Sequence, residues 1–155
     1  MTETGLDSAQ RASDATDDTT SPAPEPTGAA RLGSAARVRL FLEGHGLADA
    51  IVHFAESTKT AQMAADAMAC ELGQIVKSLV FVVDGTPVVA LVAGDRRGDA
   101  GAIAAEAGGA ATHFADAETV RAATGDAIGG VSPFALPPDL LVLVDESLRR
   151  YELVY

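Results

Sequence analysis

The sequence predicts a mixed α/β fold, in which helices flank a sheet that holds both antiparallel and parallel strands. Three observations lead there. Two β-rich runs, 74–83 and 87–92, lie on either side of Asp84-Gly85, the pattern of a tight hairpin. Stretches with helical spacing and capping residues come before the hairpin and after it. A hairpin combined with helices between the later strands produces a mixed sheet, not a purely parallel one.

The elements follow in order. Ser34 is placed to cap a helix carrying Val38, Leu40, Phe41 and Leu42, with Gly44 and Gly46 at its end. Ala50–Phe54 reads as a short strand. Thr58 or Thr60 caps a second helix through Met63, Ala64, Ala67, Met68 and Leu72, stopped by Gly73. The hairpin then forms the centre of the sheet. Asp99 caps a helix through Ile103 and Ala107, ended by Gly108-Gly109. Thr112-His113-Phe114 is a short strand, and Asp116 caps a helix with Val120 and Ala123, ended by Gly125. A Gly/Pro-rich loop runs from Gly125 to Pro138. Leu140–Val144 is a strand, Asp145-Glu146-Ser147 a turn, and Tyr151–Tyr155 a last extended segment.

The chain has 155 residues, which suits one domain and a tail. Trp is absent and aromatics are few, so the core must rest on Ala, Val, Leu and Ile. Residues 1–30 hold six acidic side chains, one basic one and a single leucine, Leu6. Such a stretch buries too little apolar surface to offset the entropy of ordering, and it is expected to be a disordered acidic, Pro-rich tail. The domain proper is expected over 31–155.

Composition also narrows function. The net charge of −11 argues against broad binding to DNA or RNA, although nearly half of the imbalance belongs to residues 1–30. A local pocket for one RNA end remains compatible with it. No apolar run approaches the ~18 residues of a membrane span. The polar start, Met1–Gly5, lacks the basic-then-apolar pattern of a secretory signal, and the single Cys70 cannot form an internal disulfide. These features point to the cytoplasm.

Few residues stand out for chemistry. Lys77 lies within a β-rich run, and alternation places it on the face of Ile75, Leu79 and Phe81. A lysine there either snorkels from the rim of the sheet or holds a phosphate or carboxylate as a point charge. Gly129-Gly130-Val131-Ser132-Pro133 is either a plain turn or a loop that aims backbone N–H groups at a developing oxyanion. His45, His53 and His113 show no metal-ligand spacing, and Cys70 reads as a core thiol. Ser132 has no evident His/Asp partner, and Gly94–Gly98 is not a phosphate loop. Arg96 and Arg97 read as a solvated loop, and Asp145-Glu146 as either a carboxylate pair or an exposed turn.

Two motifs in the same order carry a resemblance. Gln74–Phe81 resembles the lysine strand of the YbaK/prolyl-tRNA-synthetase-associated family of aminoacyl-tRNA deacylases. Thr124–Phe134 resembles that family's G-x-x-x-P loop, with Gly129 and Pro133 as the fixed ends. The Thr60–Ala65 helix and the Asp145–Leu148 turn resemble the family's neighbouring elements. The resemblance implies a curved, barrel-like mixed sheet flanked by helices. It implies deacylation in trans of tRNA mischarged with small residues of the Cys, Ala or Ser type, without metal or other cofactor. Lys77 would bind the terminal phosphate, with Ser78 and Gly129 contacting substrate. Gly129, Gly130 and Ser132, in the loop closed by Pro133, would position the ester and the attacking water.

The implied partners are the tRNA acceptor end and prolyl-tRNA synthetase or an elongation factor, with no DNA and no membrane. The alternative is a weak or inactive domain of the same fold that binds a tRNA 3′ end or a protein. The chain departs from the family in two places: Ala135 stands where a glycine is usual, and the sequence stops before the family's last strand and helix. An uncovered edge at Leu153-Val154-Tyr155 is expected to pair with another chain, giving a homodimer. The catalytic reading requires Lys77 and the Gly129–Pro133 backbone to converge on one cleft.

Overall fold

The computed structural model describes residues 32–54 and 58–155; the tail expected over 1–30 lies outside them. The described chain has four α-helices and four strands: α1 Ser34–Gly44, α2 Ala61–Met68, β1 Val76–Val83, β2 Thr86–Ala93, α3 Ala100–Glu106, β3 Thr112–Phe114, α4 Ala117–Thr124 and β4 Leu141–Val144. Short 3-10 turns occupy Ala48–Ala50, Leu72–Gln74 and Glu146–Arg150. The strands form an open sheet in the order β3-β1-β2-β4. β1 pairs antiparallel with β2 and β3, and β2 pairs parallel with β4, so the sheet is mixed.

The hairpin turn is Asp84-Gly85, both at positive φ (46° and 84°), the backbone that matches the twist of the flanking strands. It sets Val83 opposite Thr86 and Lys77 opposite Val92. The Asp84 carboxylate also accepts the amide protons of Ala110 and Ala111, each at 2.9 Å, which ties the turn to the start of β3. Those two bonds hold its carboxyl below the usual aspartate range.

Alternation then divides the core in two. Phe81, Val83, Val88, Ala90 and Val92 face Ile103 and Ala104 of α3. Val80 and Val89 face Ala115 and Val120, with Val131 and Leu136 of the Gly/Pro-rich loop, and Leu140 just after it, packed beside them. Both faces of the hairpin are therefore covered, which is why its strands read as nearly continuous apolar runs. The caps fall where the side chains dictate: Thr60, Asp99 and Asp116 each accept the amide of the residue three positions on.

Four expectations are corrected. Ser34 is the first helical residue of α1, and Gly33 takes the cap position without a side-chain bond. Ala50–Phe54 forms no strand; Ala50 ends a 3-10 turn, and Val52 and Phe54 are exposed. Helix α2 ends at Met68 and not near Leu72, because Ala69 adopts a left-handed conformation and Cys70 N–H returns to the Ala65 carbonyl. Tyr151–Tyr155 is not a regular strand. Instead Tyr155 exchanges backbone bonds with Gln74 and Val76, and the Gln74 amide donates to the Leu153 carbonyl. Arg150 reaches both oxygens of Asp95, and Tyr151 Oη donates to Glu71, so the end of the chain is docked on the start of β1.

Candidate active site

The Gly125–Pro138 loop is built outward from α4. Gly125 closes the helix in the left-handed region that glycine favours. Thr124 is buried, and its hydroxyl donates to Val120 O and accepts from Asp126 N–H. Asp126 is only 1% exposed. One of its carboxylate oxygens takes Arg37 of α1 at 2.6 Å, and the other accepts Ser132 N–H at 3.1 Å. Arg37 also donates to the carbonyls of Thr124 and Gly125, each at 3.3 Å. Phe41 of α1 stacks on Phe134, with ring centroids 6.0 Å apart, and on His45, at 4.3 Å. Helix α1 thus closes over the loop.

Within the loop, Gly130 N–H donates to Ala127 O at 2.9 Å, and Gly129 has φ of 82°. That is the third position of a turn that demands positive φ. Ser132 Oγ accepts the amide of Phe134. The amides of Gly130, Ser132 and Phe134 are therefore committed inside the loop. Those of Gly129 and Val131 have no bonded partner among the described residues. An amide has one proton, so within Gly129–Pro133 the amides left without a bonded partner are those of Gly129 and Val131, not those of Gly130 and Ser132. Ala135 lies at φ of 56°, in the left-handed region that strains a residue with a Cβ.

Lys77 is placed differently from the loop. It follows the alternation of Leu79 and Phe81 toward the α3 side, while Val131 packs on the opposite face of the hairpin. Its ammonium donates to the Arg96 carbonyl at 2.5 Å. Among the described residues no hydrogen bond joins Lys77 to Gly129–Pro133. Ser78, the next residue, leaves the strand on the loop's side. The edge of β1 beside them is open: β3 pairs only with Phe81–Val83, Ala115 N–H reaches Val80 O, and Tyr155 pairs with Gln74 and Val76. Among the described residues no segment pairs with Lys77–Leu79 from that side.

A cavity of about 500 Å³ lies on the α3 face, with Arg97, Asp99, Ile103, Leu143, Asp145 and Glu146 among its walls. Gly129–Pro133 does not line it. The Asp145 carboxylate caps the following turn by accepting Ser147 N–H at 2.8 Å. Cys70 is a half-buried free thiol, and no cluster of metal-ligating side chains occurs among the described residues. The Arg37–Asp126 pair was not legible in the sequence. Its members are 89 residues apart, and neither sits in a pattern that marks a buried ion pair.

Comparison with known proteins supplies what the geometry leaves open. The profile of the aminoacyl-tRNA editing domain matches residues 55–155. The uncharacterised protein YwhH of Bacillus subtilis (strain 168) is 34% identical over 106 residues, covering 68% of this chain and 67% of YwhH. A crystal structure of a candidate trans-editing enzyme for prolyl-tRNA synthetase is 40% identical, with a TM-score of 0.67 over 82% of this chain and 78% of the other. A scaffold protein used in epitope grafting by computational design is 36% identical, with the same TM-score over 81% and 78%. The hypothetical protein APE2540 is 28% identical, with a TM-score of 0.68 over 77% and 79%.

Proposed function

We propose that this chain, which belongs to the aminoacyl-tRNA editing domain family, hydrolyses in trans the ester joining a small wrong amino acid to the 3′ end of a tRNA. Substrates of the Cys, Ala or Ser type, action beside prolyl-tRNA synthetase or an elongation factor, and a cytoplasmic setting are parts of the same proposal. The observation that carries it is the family match over residues 55–155, which contains both the Lys77 strand and the whole Gly125–Pro138 loop.

The chemistry asks little of the protein. An aminoacyl ester is already activated, so positioning and oxyanion stabilisation supply much of the rate. Water adds to the ester carbonyl carbon, the bond to the ribose oxygen breaks, and that oxygen leaves protonated as a hydroxyl. The Gly129 and Val131 amides are assigned to the oxyanion, because they are the donors of Gly129–Pro133 with no bonded partner among the described residues. Lys77 is assigned to a phosphate of the acceptor end. That assignment rests on the resemblance of its strand, not on a geometry that joins it to the loop. The open edge at Lys77–Leu79 supports it, since a single strand lying there meets Lys77 on one face and Ser78 on the other.

Incubation with tRNA charged with Ala, Cys or Ser tests the reading. Release of the amino acid above the uncatalysed rate is expected. No release overturns the reading, and binding of uncharged tRNA without hydrolysis makes the domain a non-catalytic binder. Lys77→Ala should lower kcat/KM about tenfold to a hundredfold, the range for a hydrogen bond to a charged group. An unchanged kcat/KM removes Lys77 from the site.

A further inference from the structure

We infer that Arg37 and Asp126 are positioning residues that set the backbone of the Ala127–Val131 segment. This rests on the reading of that segment as the one holding the ester. The guanidinium gathers three acceptors at the start of the loop: Thr124 O, Gly125 O and Asp126 Oδ1. The second Asp126 oxygen then takes the Ser132 amide, at the far end of the segment. Both ends are thereby pinned to one ion pair, and among the described residues the amides of Ala127, Ile128, Gly129 and Val131 between them have no bonded partner, the last two within Gly129–Pro133. The side chain of Asp126 is fully buried and that of Arg37 is 11% exposed. A carboxylate so placed is costly unless it is both paired and hydrogen-bonded. Here every bond it makes is to Arg37 or to the loop backbone.

Arg37 lies in α1, outside the 55–155 match. The loop's conformation therefore depends on a helix that the family profile does not include. A misplacement of about 1 Å at a catalytic group costs roughly a hundredfold in rate, so a loosened clamp should act on kcat.

The test uses the full chain with Asp126→Asn, Arg37→Lys and the double variant. Asp126→Asn keeps an acceptor for Ser132 N–H and loses the charge that holds Arg37. Each single variant is expected to lower kcat about tenfold to a hundredfold with KM within about twofold. The double variant should fall no further than the worse single, because the two residues act as one unit. Folded variants with kcat near that of the parent protein, or losses that multiply, overturn the inference. Amide exchange at Ser132 gives a readout independent of activity, and in the parent protein it does not depend on how any variant folds. Protection is expected in the parent protein, and exchange about tenfold faster in Arg37→Lys. A Ser132 amide that exchanges at the free-peptide rate in the parent protein overturns the clamp. A parent protein that fails to deacylate, yet shows this protection and its loss, refutes the ester reading and leaves the clamp standing.

Discussion

Replacing Ala135 by glycine should stabilise the protein slightly, and the arithmetic is short. Ala135 sits at φ of 56°, where an L-residue with a Cβ is strained by roughly 1–2 kcal/mol. Glycine removes that strain but gives the unfolded chain more freedom, at a cost of about 0.4–1 kcal/mol. Ala135 is half-buried, so losing its methyl forfeits part of the ~0.8 kcal/mol of a fully buried carbon. The balance is a gain of about 0.5 kcal/mol, or roughly 2 °C in Tm for a domain of this size. Ala69 is a matched control. It is also left-handed (φ 51°, ψ 44°), but it is exposed at the end of α2, so Ala69→Gly keeps more of the relief and should gain about 3 °C. Thermal melts of both variants, cross-checked by urea midpoints, decide the matter. If Ala69→Gly raises Tm and Ala135→Gly lowers it, the methyl of Ala135 contributes more through packing than its backbone costs in strain, and the argument fails.

Further predictions concern pH and association. Asp84, Asp95 and Asp116 titrate below the usual aspartate range, held there by the Ala111 and Ala110 amides, by Arg150 and by the Thr119 amide respectively. Their stabilisation is complete above the unfolded aspartate value of ~3.9 and is lost as pH falls through the lower folded values. Tm should therefore fall below about pH 4, and Asp116→Asn should flatten that fall; an unchanged acid limb would refute the assignment. Tyr151 is shifted the other way by its bond to the Glu71 carboxylate. Its contribution is present below the ordinary tyrosine range, near pH ~10, and is lost as pH rises through the raised folded value. Tyr151→Phe should remove that alkaline loss, as read from Tm between neutral and alkaline buffer.

The exposed side chains of Leu153, Val154 and Tyr155 are proposed to support a homodimer at the end of the sheet. Sedimentation should then depend on concentration, and Leu153→Asp should give a monomer. A parent protein that is monomeric at all concentrations removes the proposal.

Much of the local architecture is written in the sequence. Asp84-Gly85 with apolar runs on either side leaves one sensible outcome, a two-residue hairpin, because only its positive-φ backbone matches the strand twist. Thr60, Asp99 and Asp116 announce their helices because a cap is a contact between residues three apart. The Ala50–Phe54 run failed as a strand for the converse reason. An apolar run becomes a strand only where a partner edge is within reach, and nothing local reports on that. The left-handed residue Ala69 likewise ended α2 with no glycine to signal it.

The candidate site divides the same way. The sequence alone marked the Lys77 strand and the Gly129–Pro133 loop, since both are short continuous motifs. Only the folded chain decided that Leu79 of the Lys77 strand and Val131 of the loop pack on opposite faces of the hairpin, that Gly130 and Ser132 spend their amides inside the loop, and that Arg37 reaches across 89 residues to Asp126. Those facts depend on which groups meet after the sheet has formed. A hydrogen bond between distant segments leaves no periodic trace in the order of the residues.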